Sequence, residues 1–352
     1  MFNRQWFPHR SQYGLTREAQ QFNKQLLTKN FTRLSSHISL NYTNNREYWS
    51  RQFLRLRHIT NKHNTCRKPI YIYWDCFWPN FSKIDNQFLD FFKQALPGHE
   101  IFTTEEPSRS DISIYSCYGN YASLQLTKHT TRLLFLGENV RPCYSEFDFS
   151  ISFDCSTYSG LNYYFPLWFL ELDHFDKQYP DRLPYDKYRF TKSKTVDLSS
   201  RKKFIAYVGN NNEPFRINLI STFESHNVTV DCYGSHTNPI EDKLHIYQQY
   251  KYILCPENSF YPGYVTEKIM HGYLSSGYFI YWGGVEGTDL SNPESLILVN
   301  PYSNLDPIIQ RIKYDEYPDK LTISPLMKSS YISYITAGFN SFVQKLANPY
   351  LI

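Results

Sequence analysis

The sequence has no stretch approaching the roughly 20 consecutive apolar residues that span a bilayer. Met1-Phe2-Asn3-Arg4 leads into polar sequence, so no secretory leader is read at the start either. The seven cysteines (Cys66, Cys76, Cys117, Cys143, Cys155, Cys232 and Cys255) include no Cys-x-x-Cys pair, which argues against structural zinc and thioredoxin-type chemistry. Several fall in apolar, strand-like runs where a thiol behaves as a small hydrophobe. They are read as reduced, and the setting as cytoplasmic. No Gly-x-Gly-x-x-Gly follows a strand-like run, which removes the usual dinucleotide fingerprint. There is no internal repeat and no heptad tail.

What is present is a chain of 352 residues, rich in Tyr and Phe, able to hold two domains with substantial cores. Its net charge of +4 conceals an asymmetry. Residues 1–68 hold 13 Lys/Arg against only Glu18 and Glu47, so the remainder is acidic. Such a basic arm could lie on anionic lipid or a phosphorylated glycan carrier, or bind nucleic acid without sequence preference. A helical extension packed on the body is the plain alternative. Residues 46–59, with Tyr48, Trp49, Phe53, Leu54 and Leu56, read as a helix with a packing face.

The most informative stretch is 250–284. Residues 251–255 suit a buried strand, stopped by Pro256, and Glu257-Asn258-Ser259 with Pro262-Gly263 makes a loop. Thr266 predicts a helix N-cap, with Glu267 in a first turn where the dipole favours a carboxylate. Ile269, Met270, Tyr273 and Leu274 follow at helical spacing, Gly277 marks the end, and 278–282 is a second strand. The loop and helix N-terminus of such a unit form a natural anion site. Lys268, the Tyr264 hydroxyl and the Asn258 amide could converge there on a diphosphate, with Glu267 accepting hydrogen bonds from ribose hydroxyls. On spacing alone, a capped helix with Glu267 and Lys268 facing solvent is the commoner outcome.

Before this unit, residues 70–74, 100–103, 111–116, 133–136 and 149–153 read as strands and 88–96 as a helix, an alternation that predicts a parallel, doubly wound sheet. Gly137-Glu138-Asn139 directly follows the fourth strand, where ligands bind in such sheets. Glu138 could act as a general base if partial burial raises its pKa, or simply cap the next turn. Asp148 and Asp154 read as turn residues flanking the fifth strand. Residues 170–200 read as a linker. A strand at 204–208, a polar turn and a helix opened by Pro214 place Arg216 in a first turn, where its planar fork suits a phosphate. Pairing with Glu213 or Glu224 on the surface is the alternative. A strand at 228–234, a helix at 242–251, a last strand at 297–299, a helix at 305–312 and a partly helical tail complete the reading. His271 reads as packed rather than catalytic.

Glu257-Asn258-Ser259, then Tyr264-Val265-Thr266-Glu267-Lys268-Ile269, then Tyr281-Trp282-Gly283, resembles the signature of the α-1,3/4-fucosyltransferases, the inverting enzymes that use GDP-fucose. The run from Phe135 to Pro142, with 148–154 and 164–168, continues the likeness. Pro256 and Phe279 depart from it, where an aromatic residue and a proline are usual. The resemblance implies an α/β fold of the GT-B type, two Rossmann-like doubly wound domains facing a cleft. It maps the catalytic base onto Glu138 and donor binding onto Arg216, Asn258, Tyr264, Glu267 and Lys268. The expected division is a basic arm at 1–67, an acceptor domain at 68–175, a linker at 176–200, a GDP-fucose domain at 201–330 and a helical segment at 331–352 crossing back. The implied reaction moves L-fucose to O3 or O4 of N-acetylglucosamine in an N-acetyllactosamine-type glycan or lipopolysaccharide chain. No Asp-x-Asp motif stands where it would hold a metal, so no cofactor is obligatory and a divalent cation is at most a helper. The expected setting is the cytoplasm, with peripheral membrane contact through the arm and no specific nucleic acid. For a eukaryotic chain cut from its membrane anchor it would be the Golgi lumen. The alternatives are another inverting glycosyltransferase with a different nucleotide sugar, or an inactive glycan-binding protein.

Overall fold

A computed structural model of the chain describes residues 54–55, 69–210, 213–234, 238–286 and 288–348. The basic arm expected at 1–67 lies outside the described residues except for Leu54 and Arg55. Arg55 donates to the Thr131 hydroxyl at 3.0 Å and lies 3.7 Å from the Asp148 carboxylate.

Strands β1 (Ile70–Asp75), β2 (Ile101–Thr103), β3 (Ile112–Tyr115), β4 (Thr131–Phe135), β5 (Phe149–Ser152) and β6 (Asn162–Tyr164) form one parallel sheet in the order β2-β1-β3-β4-β5-β6. The interior strands β3 and β4 are buried along their whole length, as expected of a parallel sheet covered on both faces, and they enclose polar residues such as Ser113 and Arg132 among the apolar ones. In β1, Ile70, Ile72 and Trp74 enter one core while Tyr73 enters the other. Helix α1 (Gln87–Ala95) starts at Asn86, whose side chain accepts from the Leu89 N–H at 2.8 Å, and buries Phe88, Leu89, Phe91 and Phe92. The expected alternation with helices is only partly realised. The β2–β3 and β3–β4 connections are tight turns of 3-10 helix, Pro107–Arg109 and Ala122–Thr127. Strand β6 was not anticipated.

The expected linker holds helix α2 (Tyr188–Thr191) and strand β7 (Lys194–Asp197). The second sheet comprises β8 (Lys203–Val208), β9 (Asp231–Tyr233), β10 (Tyr250–Pro256), β11 (Tyr278–Trp282) and β12 (Leu296–Val299), parallel in the order β12-β11-β10-β8-β9. Its helices are α3 (Pro214–Ser225), α4 (Lys243–Tyr247), α5 (Glu267–Leu274) and α6 (Asp306–Lys313). Every residue of central β10 is buried, Lys251 included. That ammonium lies 2.6 Å from Asp315 and 2.7 Å from Asp319, which compensates the cost of its burial. Strand β13 (Lys320–Ile323) then pairs antiparallel with β7.

Helix α7 (Ser329–Ala347) leaves the second sheet and packs on α1 of the first. Phe339 meets Phe91 at 5.4 Å and Phe165 at 5.0 Å between ring centroids. The Gln344 amide donates to the Ala95 carbonyl at 2.9 Å. Each such buried aromatic is worth about 2 kcal/mol from area alone, so this helix ties the two sheets together. No helix among the described residues is long and apolar enough to cross a membrane.

Helix α5 ends earlier than Gly277 suggests. Ser275 caps it and Ser276 takes the left-handed conformation, with φ 57°. Gly277 serves a different need, since a Cβ there would come within 2.8 Å of the Lys251 carbonyl. Two cations close this end: Lys194 donates to the Tyr273 carbonyl at 2.7 Å and Arg201 to the Ser275 carbonyl at 2.8 Å. Both complement the negative end of the helix dipole and hold α5 in place.

Candidate active site

The carboxyl ends of the two sheets meet where the loop after β4 faces the loop between β10 and α5. The Asn139 amide donates to the Ser259 hydroxyl across this boundary at 2.7 Å. Gly263 permits the approach: it has φ +84°, and a Cβ there would lie 2.4 Å from the Phe153 carbonyl. Phe153 packs edge-on against Tyr261 and Tyr264, at 5.9 and 4.8 Å. Arg141 pairs with Asp154 and lies 3.6 Å from the Tyr261 ring centroid. Asp148 and Asp154 flank β5 as expected, and both are buried partners of arginines.

Glu138 is half-buried on the first side. The Tyr118 hydroxyl lies 3.4 Å from its Oε1 and the Tyr264 hydroxyl 3.5 Å from its Oε2, both long for hydrogen bonds. Burial, and then the Glu138 charge, raise the pKa of both phenols, so both remain protonated donors. The Tyr264 hydroxyl, expected to face a diphosphate, is directed to Glu138 instead.

On the second side the loop is organised by Glu257, fully buried at the end of β10. Its carboxylate accepts from the Thr266 N–H at 2.8 Å, the Thr266 hydroxyl at 2.7 Å and the Tyr281 hydroxyl at 2.8 Å, with the Lys268 ammonium at 3.4 Å. Thr266 caps α5 as expected, its hydroxyl oxygen facing the Lys268 N–H at 3.5 Å. Lys268 also lies 3.0 Å from Glu267. Burial alone would lower the Lys268 pKa, but Glu257 and Glu267 outweigh it and hold the ammonium charged. Burial would raise the Glu267 carboxyl; the charges of Lys268 and then Lys243 instead hold it well below its usual range.

Arg216 is buried, not paired with Glu213 or Glu224. It donates to the carbonyls of Glu257 at 3.3 Å and Pro256 at 3.1 Å, and to the Asn258 Oδ1 at 2.7 Å. Its fork therefore shapes the strand-end loop and orients Asn258. His271 is half-buried, and burial lowers its pKa to about 3, so it is a neutral packed group. Among the described residues no group of three or more His, Cys, Asp or Glu could hold a metal ion, and the six described cysteines are unpaired thiols.

The family signature described as the Alpha-(1,3)-fucosyltransferase FucT N-terminal domain matches residues 58–171, and that of the Glycosyltransferase family 10 (fucosyltransferase) C-term matches 198–320. The chain belongs to glycosyltransferase family 10. A family-10 relative from Helicobacter pylori, an alpha-(1,3)-fucosyltransferase, is 28% identical over 247 residues, 62% of this chain and 52% of its own. The chain thus spans about half the length of that relative. Two solved structures share the fold. A crystal structure of an alpha1,3-fucosyltransferase is 22% identical, with TM-score 0.56, over 78% of this chain and 90% of its own. A crystal structure of an alpha1,3-fucosyltransferase with GDP-fucose is 21% identical, with TM-score 0.53, over 80% and 92%. The family-10 chain therefore has the GT-B fold, with two Rossmann-like sheets facing a cleft.

Of the residues singled out from sequence, Glu138 and Tyr264 come together across the boundary, while Arg216, Asn258, Glu267 and Lys268 surround the β10–α5 loop. Three neighbours were missed. Tyr118 follows β3 and could have been found by the rule that located Glu138. Glu257 was read as a loop residue and as part of the signature but given no role, and its total burial has no local signal. Glu171 ends the turn Leu167–Glu171; burial pushes it up to about 7, with Arg182 at 3.9 Å opposing.

Proposed function

We propose that this chain transfers L-fucose from GDP-fucose to a sugar hydroxyl, O3 or O4 of N-acetylglucosamine in an N-acetyllactosamine-type glycan, by one in-line displacement. Glu138 accepts the hydroxyl proton as the acceptor oxygen bonds to the anomeric carbon. The bond from that carbon to the diphosphate breaks on the opposite face, inverting the centre and releasing GDP. The N–H groups opening α5, with Lys268, stabilise the departing diphosphate. Arg216 acts on the donor as well, by a phosphate contact and through Asn258. Glu267 is assigned to the donor ribose.

The observation that carries this reading is the opposition of the half-buried Glu138 carboxylate and the N-terminus of α5 across the cleft. Family membership and a GDP-fucose complex in a structure of the same fold support the donor. Holding acceptor and donor in such opposition supplies much of the rate by removing the entropy of encounter.

The test is donor turnover with N-acetyllactosamine and a panel of nucleotide sugars, scored by product mass and released nucleotide. Fucosylated product from GDP-fucose alone is the expected result, with NMR assigning the linkage. Turnover of a different nucleotide sugar, or GDP binding with no product from any sugar, would overturn the assignment.

A further inference from the structure

Asn139 stands between the two halves of the site. The Val140 N–H donates back to the Glu138 carbonyl at 2.7 Å, which closes a three-residue turn with Asn139 at its apex. The backbone of Glu138 and that of Asn139 are therefore one tight piece. The Asn139 side chain uses both of its ends. Its Nδ2 donates to the Ser259 hydroxyl at 2.7 Å, and its Oδ1 accepts from the Arg141 guanidinium. A guanidinium only donates, so it must face the amide oxygen, and the amide nitrogen is thereby turned toward Ser259.

Arg141 is itself held from both sides of the boundary. It pairs with Asp154, buried just beyond β5, and lies 3.6 Å from the ring centroid of Tyr261 in the loop between β10 and α5. A guanidinium over an aromatic face is attracted to it, so this contact adds to the grip on the loop. On the far side, Ser259 follows Asn258, whose Oδ1 accepts from Arg216 at 2.7 Å. Arg216 also donates to the Pro256 and Glu257 carbonyls at 3.1 and 3.3 Å, which anchors that segment to α3 and to the end of β10. A continuous series of polar contacts, from Asp154 through Arg141 and Asn139 to Ser259, thus crosses from the first sheet to the second and passes directly beside Glu138.

We propose that Asn139 is a positioning residue: through its bond to Ser259 it fixes the Glu138 carboxylate in register with the loop that leads into α5. The assignment rests on the fucosyl-transfer reading above and adds to it a residue that acts through Glu138 rather than on a substrate. The proton acceptor belongs to one sheet and the diphosphate site to the other, so the register between them sets the reacting distance. A misplacement of about 1 Å can cost about a hundredfold in rate.

The test is single-turnover transfer from GDP-fucose to N-acetyllactosamine by the full chain, its Asn139→Ala, Ser259→Ala and Ser259→Thr variants, and the double alanine variant, with GDP affinity from calorimetry. Asn139→Ala and Ser259→Ala should each lose about ten- to a hundredfold in transfer rate, while GDP affinity and the half-saturating acceptor concentration stay within about threefold of wild type. Ser259→Thr keeps the hydroxyl and should retain most of the rate. The double variant should be no slower than the slower single variant, because the two side chains make one shared bond. Ser259→Ala leaves the pairing of Arg141 with Asp154 in place, so it decides the matter should Asn139→Ala fail to fold. A loss of less than about tenfold in Ser259→Ala overturns the assignment alone. Multiplied losses in the double variant overturn it as well, as does a fall in GDP affinity that matches the fall in rate, since Asn139 would then only shape the donor loop. Failure of the wild-type chain to transfer fucose overturns the fucosyl-transfer reading and this assignment with it.

Discussion

Glu138 and Glu257 hold corresponding places in the two halves, each just beyond the carboxyl end of an interior parallel strand, β4 or β10. Their surroundings differ. Glu257 has no exposed surface and three donors within 2.8 Å, with a lysine behind them. Glu138 is half-buried and faces two tyrosine hydroxyls at 3.4 and 3.5 Å. A carboxylate saturated by short bonds stabilises structure, because each partner would lose its hydrogen bond if it moved. A half-buried carboxylate at the cleft edge keeps surface on which to accept a proton. Position in the sheet thus brings a carboxylate to the site, while burial decides whether it is left open to a substrate.

The largest expected effect is at Glu138. Glu138→Gln should lower single-turnover transfer by about 10²–10⁴-fold while GDP affinity changes by less than about threefold. Near wild-type transfer would remove Glu138 from the chemistry. Next is Glu257→Ala, which strands Thr266, Tyr281 and part of the Lys268 charge. It should cost about 3–5 kcal/mol, read by chemical denaturation. A variant that keeps its stability but loses turnover would reverse the contrast between the two glutamates.

A third expectation treats both halves alike. Burial lowers His174 to about 4 and His271 to about 3, against an ordinary value near 6.5. The unfolded chain takes up these protons first, so the stability they contribute is complete above about pH 6.5. It is lost at about 1.4 kcal/mol per pH unit per histidine as the pH falls toward those lower values. Replacing both by Gln should flatten that slope in denaturation curves, and an unchanged slope would show that other groups control acid unfolding. The smallest effect is Tyr118→Phe. Removing a donor to the charged Glu138 should raise its pKa and move the acid limb of kcat/KM upward by less than about one unit. A downward shift would show that Tyr118 does not support the carboxylate form.

Much of this site was legible because its signals are local. The β10–loop–α5–β11 unit follows from an apolar run, a threonine cap and helical spacing within 35 residues of chain. Glu138 was found by its place after a strand. What escaped was set by distant partners. The segment read as a linker contains β7, which needs β13, more than a hundred residues later, to be a strand at all. Arg216 was placed correctly in its helix, but its carbonyl partners lie some 40 residues away and have no local signal. Lys194 and Arg201 close the end of α5 from more than 70 residues away in the chain, with no local signal to announce it.

By itself, then, the sequence determined the elements that local sterics and periodicity control: the parallel strands, the caps, the positions of Glu138 and Lys268, and the family signature. Tertiary structure alone decided what each polar group faces. It buried Glu257 beneath its donors and brought Tyr264 to Glu138. The reason is physical. Backbone conformation depends on neighbours in the chain, whereas burial and charge compensation depend on groups that only folding brings within a few ångströms.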